Sequence, residues 1–115
     1  MNAVASPLIL LLNQQSVYTY DRNRRLPGKQ REFLDLMQQD MSEGIELDGI
    51  HYSQPDAQQQ AYYVAMSLVH AYDQGNAELM LASSAYLATR YPGLNQVVVE
   101  SQDDNFSLQL IYTDE

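Results

Sequence analysis

The segment from Ala77 to about Tyr91 has almost no polar face: Leu79, Met80, Leu81, Ala82, Ala85, Tyr86, Leu87 and Ala88 surround a helix on nearly every side. A helix that is apolar all round needs partners in every direction and belongs at the centre of a fold. Its limits are written in the flanking residues. Gly75 and Asn76 supply a C′ glycine for the helix before it and an N-cap for this one, while Pro92-Gly93 stops it. Arg90 falls in its last turn, where a cation suits the negative end of the helix dipole.

The preceding segment supplies the first cover. From about Pro55 to Gln74, Ala57, Ala61, Val64, Ala65, Leu68 and Tyr72 form one apolar stripe, widened by Tyr62, Met66 and Val69. Ser53 with Asp56 three residues later, and Pro55 between them, predicts the start. Two helices joined as tightly as at Gly75-Asn76 must pack antiparallel. A third helix runs from Lys29, with Phe33, Leu34, Met37 and Met41 at helical spacing, and Gly44 ends it.

Strand patterns occupy both ends of the chain. Leu8 to Leu12 is a continuous apolar run, and Val17 to Tyr20 is β-branched and aromatic, so the pair reads as a hairpin or one long bent strand. Val97 to Val99 and the alternating Phe106, Leu108, Leu110 and Tyr112 form a second hairpin around Gln102 to Asn105. Asp48-Gly49 between short apolar flanks predicts a small type I′ hairpin. The apolar sheet face needs a cover, and the helices are the only candidates. The reading is an α+β fold: an antiparallel sheet built from N-terminal and C-terminal strands, with about three helices packed on one face and residues 1–115 forming a single globular domain.

Charge is distributed unevenly. Five of the six cations, Arg22, Arg24, Arg25, Lys29 and Arg31, lie within ten residues, and Arg90 is the sixth. With Asp21 the stretch 21–31 carries +4; the rest holds fourteen carboxylates against Arg90, or −13, for a net charge of −9. Arginines on a loop next to a helix start suit a phosphate or carboxylate. The opposing reading is that these cations pair with acids of the same chain, each exposed pair contributing at most about 1 kcal/mol. The surrounding negative charge and a pI of about 4.4 disfavour duplex nucleic acid as a partner.

No reaction motif emerges. His51 and His70 lack metal spacing, the five glycines are isolated, and no serine sits in GxSxG. Ser67, His70 and Asp73 could form half of a general-base arrangement on one helix face, though a partly exposed helix histidine accounts for His70 more simply. Glu100, Asp103, Asp104 and Asn105 match no EF-hand loop. With no cysteine, neither disulfide nor thiolate metal site can form, and a cytoplasmic, cofactor-free and metal-free domain is expected. The apolar N-terminal run is far too short to span a membrane.

The function expected from these features is non-catalytic. A protein partner, or a second copy of the chain, would bind an apolar surface bearing Tyr62, Tyr63, Met66, Tyr86 and Tyr91 beside the basic segment. The alternative is a site for a small anionic ligand, gripped by Arg22, Arg24, Arg25, Lys29 and Arg31. It requires at least two of these cations to share one concavity.

Overall fold

The computed structural model describes residues 7–22, 28–47, 49–102 and 105–112. Along the chain run β1 (Leu8–Leu12), β2 (Gln15–Tyr20), α1 (Gly28–Ser42), β3 (Ile45–Leu47), β4 (Ile50–Tyr52), α2 (Ala57–Gln74), α3 (Ala77–Arg90), β5 (Leu94–Gln102) and β6 (Asn105–Tyr112). The fold is α+β, with a sheet of N- and C-terminal strands covered on one face by three helices.

The sheet order is β2-β1-β5-β6, and β3 pairs with β4 apart from it. The sheet is mixed rather than wholly antiparallel: β1 pairs antiparallel with β2 and β5 with β6, but β1 and β5 lie parallel at the centre. Parallel neighbours require a crossover connection, and α1 to α3 supply it between the two hairpins. The central position between two paired neighbours accords with β1 as a continuous apolar run, its helix-facing Leu8 and Leu10 buried and its other face half-buried.

Register separates the two faces. Leu10 stands opposite Tyr18 on one side and Val97 on the other, and Val97 opposite Leu110; one step along, Leu12, Val99 and Leu108 form the next row. These residues face the helices, and Leu8, Leu10, Val97 and Val99 are almost wholly buried. Ile9, Leu11 and Val98 point the other way and are half-buried.

The third helix is the centre of the core. Six consecutive residues, Ser83 to Ala88, are buried, so this stretch of the helix has no solvent face. Its N-cap is Asn76, whose Oδ1 accepts from the Leu79 amide at 3.1 Å. Gly75 at φ 71° closes α2 in the left-handed conformation that glycine adopts without strain, its amide donating to Tyr72. The second helix begins three residues later than Ser53 indicates. Asp56 accepts from the Gln59 amide at 2.8 Å and Gln59 Oε1 accepts from the Asp56 amide at 2.9 Å, a reciprocal box that Ser53 and Asp56 do not form. Pro55 reinforces this boundary by disfavouring helical backbone at Gln54.

A polar relay stitches the three helices together. The Tyr86 phenol donates to Gln38 Oε1, Gln38 Nε2 donates to Gln60 Oε1 at 2.9 Å, and Gln60 Nε2 donates to the Pro55 carbonyl at 3.1 Å. Ser84 Oγ donates to the Met80 carbonyl at 2.6 Å. Ser83 Oγ is the exception, a buried hydroxyl without a hydrogen-bond partner among the described residues. An unsatisfied buried hydroxyl costs about 1–3 kcal/mol, so Ser83→Ala is expected to raise stability by about 1 kcal/mol in denaturant titration. A loss of stability would mean that the hydroxyl is satisfied in the folded protein.

Candidate functional site

The cations that cluster in sequence separate in space. Arg22 follows β2 and reaches the C-terminal end of α3, where Nε donates to the Ala88 carbonyl at 3.4 Å and Nη2 donates to the carbonyls of Tyr91, at 3.1 Å, and Leu94. The last carbonyls of a helix have no intrahelical donor, and a guanidinium, planar and always charged, supplies several at once. Burial lowers the pKa of this guanidinium from its ordinary value. Arg22 thus donates to carbonyls at and just beyond the end of α3. Arg90 falls in the last turn of α3, as expected, pairs with Asp35 at 2.9 Å and lies 5.5 Å from the Tyr86 ring centroid.

Lys29 stands elsewhere. It lines a groove of about 440 Å³ between α1 and the N-terminal half of α3, with Phe33 and Leu34 on one wall and Leu79, Ala82 and Ala85 on the other. Glu78 joins it at the rim. Arg22 is not part of that groove, so these two cations do not share a concavity. Arg31 is exposed on α1 and engaged in an interaction of its own. Arg24 and Arg25 lie outside the described residues, as does the turn proline Pro27.

A second groove, of about 290 Å³, opens on the other side of Leu79. It is lined by Tyr62, Tyr63, Met66 and His70 of α2, with Glu46 and Leu47 of β3 opposite. Leu79 borders both grooves, so they form one apolar surface with Lys29 toward one end and Glu46 toward the other. Phe33 and Tyr63 are exposed here by 43% and 37%, large values for aromatic side chains, and Leu36, outside both grooves, is 56% exposed. Phe33 and Leu36 are three residues apart and share one face of α1. The helical spacing of Phe33 identified an apolar stripe, but no local pattern indicated that α3 would leave part of it uncovered.

The tyrosines divide by role. Tyr62 and Met66 are half-buried at the groove, whereas Tyr86 is fully buried and belongs to the core. Tyr91 is half-buried, donates to the Ala57 carbonyl at 2.9 Å, and has its phenol pushed up to about 12, chiefly by burial and further by the neighbouring Tyr86 and Tyr112 phenols. Of the expected surface, Tyr62, Tyr63 and Met66 line the second groove.

The serine, histidine and aspartate of α2 do not assemble. The His70 ring meets Gln74, with 3.0 Å between Nε2 of each, rather than Asp73, and Ser67 Oγ donates to the Tyr63 carbonyl at 3.3 Å, within its own helix. A histidine held through Gln74 lacks the carboxylate that would orient it as a base. His51 packs beside Gly44, whose φ of 125° favours glycine and where a Cβ would stand 2.9 Å from the imidazole. Asp103 and Asp104 lie outside the described residues; among those described, no group of three or more potential metal ligands is present. No helix among the described residues is long and apolar enough to cross a membrane.

Comparison with protein-family profiles, with curated proteins and with solved structures finds no match to this chain.

The separation of Arg22 from Lys29 has a measurable consequence. Arg22→Gln should lower the unfolding free energy by about 1–3 kcal/mol, because carbonyls at the helix end lose a charged donor. Lys29→Gln should stay within about 0.5 kcal/mol of the wild type. Equal effects in chemical denaturation would show that Arg22 does not hold the end of α3.

Proposed function

We propose that this chain is a non-catalytic interaction domain, and that its docking surface is the pair of grooves meeting at Leu79. The observation that supports this reading is their continuity: apolar and aromatic side chains of α1, α2 and α3 line one surface that the described residues leave uncovered. Burying a single Phe or Leu side chain contributes about 1.5–3 kcal/mol, so Phe33 and Leu79 dominate the energetics. Charged residues at the rim add orientation more than affinity.

The occupant that fits is a second copy of the same chain. A two-fold axis passing near Leu79 brings the Lys29 end of one surface onto the Glu46 end of the other, and the reverse. Each copy then meets an opposite charge. Two molecules of net charge −9 repel at a distance, but at physiological salt the screening length is about 8 Å, so direct pairs survive while the long-range field fades. A soluble dimer of this kind needs no cofactor.

The charge arrangement provides the test. In sedimentation velocity across a concentration series, the wild type should dimerise reversibly, and Lys29→Glu or Glu46→Lys should each weaken the dimer by about tenfold, equivalent to about 1.4 kcal/mol. The double variant Lys29→Glu with Glu46→Lys should recover most of the loss. A wild-type monomer at every concentration, or single variants without effect, would overturn the dimer and the surface assigned to it.

A further inference from the structure

The chain has two histidines, nineteen residues apart, and the fold brings both to one carboxylate. His51 on β4 stands directly opposite Glu46 on β3, and residues paired in this way carry their side chains on the same face, about 5 Å apart at Cβ. His70 reaches the same place from α2, where it lines the second groove together with Glu46, Tyr63 and Leu79. An adjoining cavity is lined by Gly44, Ile45 and His51, and again by Glu46 and Tyr63. Glu46 thus has one imidazole on its β4 side and another on its α2 side, and all three side chains are exposed.

The remaining groups around Glu46 are few. Around the two cavities β3 contributes Glu46, β4 His51, and α2 His70 with the phenols of Tyr62 and Tyr63, while α3 contributes only the apolar Leu79. Glu43, ahead of the β3–β4 hairpin, and Asp73, on α2 beyond His70, line neither cavity. Among the described residues no lysine or arginine lines them either. Histidine is the side chain whose charge changes between about pH 5 and 8, so the electrostatics of this corner pass to His51 and His70 in that range.

From this placement we infer that the dimer is released by acid: protonation of His51 and His70 displaces Lys29 of the second copy from Glu46. The inference rests on the proposed two-fold dimer, in which that lysine meets this carboxylate. With both imidazoles neutral, Glu46 is the one charge in its corner and takes the lysine. With both protonated, two cations of the same chain compete for the carboxylate and repel the lysine at close range. Affinity is therefore fully present above the histidine range and is lost as the pH falls through it. The overall charge acts in the opposite direction. Protonating both histidines takes the net charge from −9 to −7, which by itself eases the approach of two copies. The sign of the pH effect thus separates a local exchange of cations from a general change of field.

The test is sedimentation velocity of the full chain at about pH 8 and about pH 5.5, at one ionic strength, with circular dichroism to verify the fold at both; ordinary carboxylates are still ionised at the lower value. The wild type should dimerise about fivefold more weakly, or worse, at the lower pH. His70→Gln and His51→Gln alter exposed side chains, and each should remove part of that loss. The double variant should dimerise at the lower pH as tightly as at the higher, or more tightly. A wild-type dimer that acid leaves unchanged or strengthens, or a double variant that keeps the wild-type dependence, would overturn acid release and leave the dimer standing. A monomer at both pH values and every concentration would overturn the dimer and this inference with it.

Discussion

A helix buried on every side from Ser83 to Ala88 still leaves the carbonyls of its last turn without intrahelical donors, and the way this chain supplies one organises the rest of the molecule. The donor comes from within the protein. Arg22 comes from the end of β2, sixty-six residues before Ala88, and ties the edge hairpin to the helix and to the start of β5. The strongest positive feature of the sequence is thereby divided. One of its members completes the core, and another, Lys29, is left at the mouth of a groove.

The same helix determines where apolar surface remains. The sheet and α2 cover the buried stretch from Ser83 to Ala88, but α1 crosses α3 without closing over its first turns. Leu79 and Leu81 are only half-buried, and Phe33 is exposed to solvent beside them. In a monomer this exposure opposes solubility; in an assembly it is the contact. On the proposed reading a second copy covers it, with Lys29 of one molecule meeting Glu46 of the other.

Much of this architecture was legible locally, because caps and turns are decisions made within a few residues. Gly75-Asn76 marks the boundary between α2 and α3, Asp48-Gly49 marks the β3–β4 hairpin, and the alternation from Phe106 to Tyr112 gives the face of β6, whereas Leu8 to Tyr20 read equally as a hairpin or one bent strand. What escaped depends on residues far apart in the chain. The parallel pairing of β1 with β5 has no local signature beyond the unbroken apolar run of Leu8–Leu12, and strand runs alone do not reveal direction. The capture of the α3 carbonyls by Arg22 was equally hidden, since a charge cluster looks the same whether its members point inward or outward. Ser67, His70 and Asp73 teach the converse: correct spacing on a helix face does not ensure contact, because Gln74 is also within reach of the imidazole.

The chain has no cysteine, which makes one direct measurement clean. If the two grooves form a two-fold contact centred near Leu79, Leu79→Cys placed alone should oxidise rapidly to a disulfide-linked dimer under mild conditions, whereas Gln109→Cys on the far face of the sheet should remain largely monomeric. Failure of position 79 to cross-link, or equal cross-linking at both positions, would contradict the account.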